Sequence, residues 1–285
     1  MAVPPQRTQV RFWRAFALAC FWPGLLLAET RLVSTSGAIT ETIYALGAGQ
    51  ELVAVDLSSV HPEEATQLPM IGYARMLSGE GIISMRPTLV LANADAGPPS
   101  VIDQLKSAGV NMLFLTNAHN PEAAAERIRL IGQALHKEPE AEKLVAQMTT
   151  ELQAAREKIA RMPARPKVLF IYTRGGGIMN VAGRGTGGEA IIELAGGVNA
   201  VQEYDGYKPL TAEGAVTAAP DFLLISSRGL ETSGGIDELL KQPGLVETPA
   251  GQARRIVAMD DLLLLGFGPR LGEATRELAE KIHPE

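Results

Sequence analysis

A chain of 285 residues with 26 basic and 32 acidic side chains has a formal net charge of −6, and that balance argues against a nucleic-acid partner, which needs a basic face. Its length and apolar content of 46% suit one large domain or two lobes, each able to bury a core. The single cysteine, Cys20, lies near the start, so the chain beyond it has no disulfide or thiolate chemistry.

Arg7, Arg11 and Arg14 precede any acid, and an apolar run over 15–27 follows, ending at Ala28. A basic start, an apolar stretch too short for a bilayer and a small residue at the cut read as a secretory signal peptide over 1–28. A lipoprotein cut before Cys20 is disfavoured because it would leave Phe21-Trp22-Pro23 and the rest of the apolar run at the new N-terminus. Without the three arginines the mature chain carries about −9. No later run is long and apolar enough to span a membrane, which predicts a soluble mature protein.

After the leader, Arg31-Leu32-Val33-Ser34 predicts a short strand, and Thr40-Glu41-Thr42-Ile43-Tyr44-Ala45-Leu46 a helix stopped by Gly47. Leu52-Val53-Ala54-Val55 is the next strand. The stretch 68–78 then holds Tyr73 between a polar run and the helical pattern beginning at Gly79, which predicts a loop. Arg75 stands two residues on and would favour the phenolate of Tyr73, since a nearby positive charge stabilises the ionised form. A phenolate is a hard ligand for ferric iron, haem iron included. The plainer reading is a tyrosine closing a surface loop beside a solvated arginine.

Pro87-Thr88-Leu89-Val90-Leu91-Ala92 predicts a buried strand, 101–109 a helix ending in glycine, and 110–115 a fourth strand. Strands alternating with helices imply a mostly parallel sheet covered on both faces. Two helices follow, 121 to about 137 and 139 to about 162; the second is long enough to cross a lobe. Arg165-Pro166 breaks that pattern, and Lys167-Val168-Leu169-Phe170-Ile171-Tyr172 starts a fresh strand.

The second half repeats the first. The run Glu41-Thr42-Ile43-Tyr44-Ala45-Leu46-Gly47 aligns with Glu189-Ala190-Ile191-Ile192-Glu193-Leu194-Ala195 at a constant offset, and Glu80-Gly81 and Pro87 align with Glu213-Gly214 and Pro220 at a shorter one. The difference falls on the tyrosine segment, which is longer in the first copy; extra loop length is where function is usually added. The fold class is therefore α/β: two Rossmann-like lobes, 29–138 and 164–285, joined by one long helix over 139–163. A ligand cleft lies between the carboxyl ends of their strands.

Two other signals compete. Gly183-Arg184-Gly185-Thr186-Gly187-Gly188 fits the dinucleotide pattern with Glu203 downstream, as an exported oxidoreductase would have. The strong strand before it ends near Tyr172, too early for that motif, so the glycines predict a loop lining the cleft. His61, His119, His136 and His283 are the only histidines, and none pair at metal-ligand spacing, so each reads as a surface residue. No nucleophile triad or carboxylate pair stands out.

The leader, the duplicated lobes and the long helix, with the motifs Ile71-Gly72-Tyr73-Ala74-Arg75, Gly206-Tyr207-Lys208-Pro209-Leu210 and Leu265-Gly266-Phe267-Gly268-Pro269-Arg270, resemble the periplasmic haem-binding proteins of bacterial haem-uptake ABC transporters. Cobalamin and siderophore binders share the broad fold. The resemblance implies a non-enzymatic periplasmic carrier of haem, with an inner-membrane permease dimer as partner and an outer-membrane haem receptor system upstream. It makes Tyr73 the axial iron ligand, Arg75 the basic residue bonding the phenol, and Arg228 an arginine facing the haem. Some members add a histidine from the second lobe; none exists here between His136 and His283, which leaves five-coordinate iron or a weak ligand such as Met179. Lys208 is expected near the propionates. Docking on the permease is expected through one glutamate per lobe, Glu41 with Glu189 or Glu193.

Overall fold

The computed structural model describes residues 1–2, 30–162, 164–173 and 179–284; the signal peptide expected over 1–28 lies, apart from its first two residues, outside them. The first lobe runs β1 (Leu32–Ser34), α1 (Gly37–Ala45), β2 (Leu52–Val55), β3 (Gly72–Tyr73), β4 (Met76–Leu77), α2 (Gly79–Ser84), β5 (Leu89–Asn93), α3 (Pro99–Ser107) and β6 (Met112–Leu115). Two helices follow, α4 (Pro121–Ala134) and α5 (Glu138–Ile159). The second lobe runs β7 (Lys167–Thr173), β8 (Met179–Ala182), α6 (Gly187–Leu194), β9 (Val198–Asn199), β10 (Tyr207–Pro209), α7 (Ala212–Ala218), β11 (Phe222–Ser226), α8 (Ser227–Thr232), α9 (Ile236–Leu240), α10 (Pro249–Gln252), β12 (Ile256–Met259), α11 (Asp261–Leu265) and α12 (Leu271–Ile282).

The first sheet has the order β2-β1-β5-β6, all parallel. In the second, β9-β7-β11-β12 reproduces that order, again parallel. An antiparallel pair absent from the first lobe, β8 with β10, is added along the far end of β7. The repeat seen in the sequence is thus a repeat of the four-stranded core.

Local chemistry sets the element ends. Asn120 caps α4, its side-chain oxygen accepting from the Ala123 amide at 2.8 Å, with Pro121 at the first helical position, where its missing N–H costs nothing. The 22 residues of α5 carry Glu138 and Glu140 in the first turn and Arg156 and Lys158 in the last, complementing the helix dipole at both ends. One face of α5 is apolar and buried: Ala141, Val145, Met148, Leu152 and Ala155.

That face welds the lobes. A single buried cluster runs from Leu32, Ile39 and Ile43 of the first lobe through Val145, Met148 and Leu152 to Phe170, Leu224, Leu264 and Leu278 of the second. Two polar links add to it, both reaching the loop 266–270. The Glu41 carboxylate, on α1, accepts from Arg270 Nε at 2.6 Å and Nη2 at 3.3 Å. Arg127, 4% exposed on α4, donates to the carbonyls of Thr116 and Phe267, both at 2.6 Å. Phe267 holds a left-handed backbone, φ +49°, which a non-glycine residue adopts only when its surroundings insist. Here the buried ring and the Arg127 bond supply that constraint.

Candidate functional site

Parallel strands of both sheets, β1, β2, β5 and β6 of the first and β7, β11 and β12 of the second, deliver their carboxyl ends to one cleft, a cavity of about 870 Å³. Tyr73, Arg75, Asp95 and His119 line it from the first lobe, and Tyr172 and Arg228 from the second. Leu57, Val60, Leu262 and Phe267 give it apolar walls.

Tyr73 sits on a short hairpin, β3 and β4, rather than on an irregular loop; Tyr73 pairs with Met76 across it. Two strands of two residues cannot hold themselves together in water. Backbone bonds from outside fix this one. Leu57 N–H donates to the Gly72 carbonyl at 3.0 Å, Leu77 N–H to the Gly97 carbonyl at 2.8 Å, and Gly97 N–H to the Ala74 carbonyl at 2.9 Å. Gly72 is required where it is: φ is +97°, and a Cβ there would stand 2.7 Å from the Met76 carbonyl oxygen.

Arg75, expected to bond the phenol, gives two of its nitrogens to Asp95 Oδ2: Nε at 2.7 Å and Nη2 at 2.6 Å. Arg228 lies exposed in the first turn of α8, its amide 3.4 Å from Asp261 Oδ1, and it lines the cleft.

His119 is exposed, as expected of a surface histidine, and it stands where the cleft meets a second groove behind it. Its ring packs edge-on to Phe267 with centroids 5.1 Å apart. Solvent reaches it, but burial by the surrounding protein lowers its pKa, Arg127 and Arg75 lower it further, and Asp95 opposes them. The imidazole is therefore biased towards its neutral form. Asp95 follows the carboxyl end of the buried strand β5 and His119 that of β6, and that position alone could have flagged them.

Other expected residues lie elsewhere. Met179, expected as a weak sixth ligand, is 8% exposed, packed with Leu169, Ile171 and Val181 in a core cluster of the second lobe, and does not line the cleft. Lys208 is on the edge strand β10, its ammonium 4.5 Å from the centre of the Tyr204 ring, and does not line the cleft. Glu41, expected on a docking surface, has a side chain 7% exposed and bound to Arg270. Glu189 is half-buried and turned back on its own helix end, accepting from the Gly185 amide at 2.6 Å and from Gln202. Glu193 is exposed, on the groove behind the cleft with Arg156 and Arg165.

The glycines of 183–188 do not line the cleft either. They permit close packing: Gly183 against Tyr204, Gly187 against His119, and Gly188 against the Phe170 ring. A strand, β8, does end just before them, but it runs antiparallel to β7, and a dinucleotide site needs the parallel βαβ unit.

Residues 32–263 match the periplasmic binding protein family. The chain belongs to that family. Among solved structures, the periplasmic heme-binding protein RhuT from Roseiflexus sp. RS-1, in apo form, is 45% identical, with 90% of this chain and 98% of that one covered and a TM-score of 0.87. The periplasmic heme-binding protein BhuT in complex with two hemes is 43% identical over 89% and 97%, with a TM-score of 0.84. A curated relative, the ABC transporter substrate-binding lipoprotein YvrC of Bacillus subtilis (strain 168), is 29% identical over 90% of this chain and 80% of its own. Family and neighbours are binding proteins, and their two-lobed α/β fold is the one seen here. Among the described residues no helix is long and apolar enough to cross a membrane.

Proposed function

We propose that this protein captures ferric haem in the cleft between its lobes and delivers it to an inner-membrane ABC transporter. The observation that carries the reading is Tyr73, held by an anchored hairpin at the wall of an apolar-sided cavity. A phenolate suits ferric iron. The apolar walls suit the faces of a macrocycle, and Arg228 suits a propionate. The likeness to RhuT and BhuT supports haem over a corrinoid or a ferric siderophore, and no bond of the cargo is made or broken. Purified mature protein titrated with hemin should develop a one-to-one or two-to-one ferric spectrum with a phenolate-to-iron band. Saturable binding of cobalamin or a ferric siderophore, with no hemin spectrum, would reverse the assignment.

Handover needs one carboxylate surface on each lobe. With Glu41 buried and Glu189 turned inward, the repeat offers a second pair. Ser78-Gly79-Glu80-Gly81 and Thr211-Ala212-Glu213-Gly214 open α2 and α7 alike, each hydroxyl accepting from its glycine amide, at 3.0 Å and 3.1 Å, with Glu80 and Glu213 both exposed. These two are the docking carboxylates of choice for basic permease surfaces, with Glu193 the remaining exposed candidate from the expected set. Glu80→Lys with Glu213→Lys should leave hemin binding intact and stop uptake by reconstituted transporter. Uptake at the normal rate would reject that pair.

A further inference from the structure

We infer that Asp95 is the positioning residue of the iron-binding hairpin, holding Arg75 in place beside Tyr73. This rests on the reading of Tyr73 as the iron ligand. The hairpin's tip is Ala74-Arg75, and one short segment, 95–97, ties it at three points. Gly97 accepts from the Leu77 amide at 2.8 Å and donates to the Ala74 carbonyl at 2.9 Å, while Asp95 takes the Arg75 guanidinium through two nitrogens at 2.6 and 2.7 Å. That segment is itself fixed to the sheet. It follows β5, an inner strand of the first sheet, and the Ala94 amide donates to the Leu115 carbonyl of neighbouring β6 at 2.8 Å. The chain of constraint therefore runs from the buried sheet through Asp95 to the tip that presents the tyrosine.

The pair also sets what Arg75 can do. An arginine two residues from the ligating oxygen has a choice of acceptors: the phenolate, a propionate or a protein carboxylate. Asp95, with its side chain 30% exposed, occupies the guanidinium first. Of the other cleft arginines, Arg127 is buried and spent on two backbone carbonyls, which leaves the exposed Arg228 to meet an acidic group of the cargo. Arg75 is thus kept as an oriented, partly neutralised neighbour of the phenol rather than a full charge upon it.

Two measurements test this. In ligand-free protein, Asp95→Ala should speed hydrogen exchange at the Leu77 and Gly97 amides, and Arg75→Ala should do the same, with no further gain in the double variant. Unchanged exchange in Asp95→Ala, or additive effects, would overturn the positioning role, and this arm needs no haem. In the haem-loaded protein, Asp95→Asn frees Arg75 to donate to the phenolate oxygen, which lowers the lone-pair energy. The phenolate-to-iron band should then move to shorter wavelength, and haem should leave faster by up to about fivefold, the size an exposed ion pair can carry. In Arg75→Ala the further change Asp95→Asn should move nothing. A band that stays put in Asp95→Asn, or moves equally without Arg75, would overturn the inference. Failure of wild-type protein to bind hemin would instead strike the haem reading, with the exchange result still standing.

Discussion

Each lobe must cross from its second strand to the helix before its third, and the two copies do so differently. In the first, the chain from β2 to α2 leaves the sheet, forms the β3-β4 hairpin and leans on the segment after β5. In the second, the shorter chain from β9 to α7 stays on the sheet and adds β10 as an edge strand beside β8. There Tyr207 packs at 5.2 Å between ring centres on Tyr172, and Lys208 lies over Tyr204. One copy of the segment turns a tyrosine into the cleft; the other uses its aromatic side chains to finish a sheet. The scaffold is duplicated, and chemistry is added where the copies differ in length.

The largest test of that contrast sets Tyr73→Phe against Lys208→Ala. Removing the phenol oxygen keeps the ring's packing but deletes the proposed iron ligand. Hemin affinity should fall by at least about a hundredfold, more than the loss of a supporting group beyond the ligand. The phenolate band should vanish. Lys208→Ala should leave both within twofold. Equal losses in an equilibrium hemin titration would mean that the two segments share the site.

The repeat-related glutamates sharpen the comparison from the side of stability. Glu41 is buried against Arg270, which is 25% exposed at its side chain; burial works against that guanidinium, but the hydrogen bond and charge of Glu41 outweigh it and raise its pKa. Taking away a buried partner strands the other charge, so Glu41→Ala should cost about 2–4 kcal/mol in urea unfolding. Glu189→Ala, which loses a half-exposed bond to the Gly185 amide, should cost about 1 kcal/mol. Gly188→Ala probes the second lobe alone. A Cβ there would meet the Phe170 ring at 2.5 Å and Ala182 at 3.0 Å, and overpacking of this kind costs about 1–3 kcal/mol.

What the sequence made legible was periodic or duplicated. The alternation of strands and helices, the long helix after Pro139 and the two-fold repeat all reappear, because hydrophobic period and helix-end chemistry are local. Helix limits moved by a few residues: α1 begins at Gly37 rather than Thr40, and α4 stops at Ala134. The misses are long-range or non-periodic. The strands β8 and β10 are short and lack a clear apolar run, β8 pairing with the edge of β7 and β10 with β8. The Glu41–Arg270 pair joins residues 229 positions apart, so nothing near Glu41 in the chain announced its buried partner. Tyr73 stood out on a stretch without helical or strand period, although it pairs across a two-residue hairpin; Asp95, which holds Arg75, did not, since nothing in Asn93-Ala94-Asp95-Ala96-Gly97 says which arginine it meets.

The smallest effect lies on the seam between the lobes, at His119. Its pKa in the folded protein is lowered, first by burial and then by Arg127 and Arg75, so the folded state binds fewer protons there than the unfolded chain does. Stability must then rise with pH across the interval between the folded value and the unfolded one, near 6.5. The contribution of His119 is fully present above about 6.5 and is lost as pH falls through the lowered folded value. His119→Gln keeps a polar side chain of similar length against Phe267 while removing the titration, so the urea midpoint of the variant should fall less steeply than wild type on acidification below about pH 6.5. With Tyr73 as the proposed ligand, the same variant should leave hemin affinity at pH 8 unchanged. A parallel fall in the two proteins would place the acid sensitivity elsewhere, and a lost hemin spectrum at pH 8 would instead make His119 a ligand from the first lobe, on the same side of the cleft as the tyrosine.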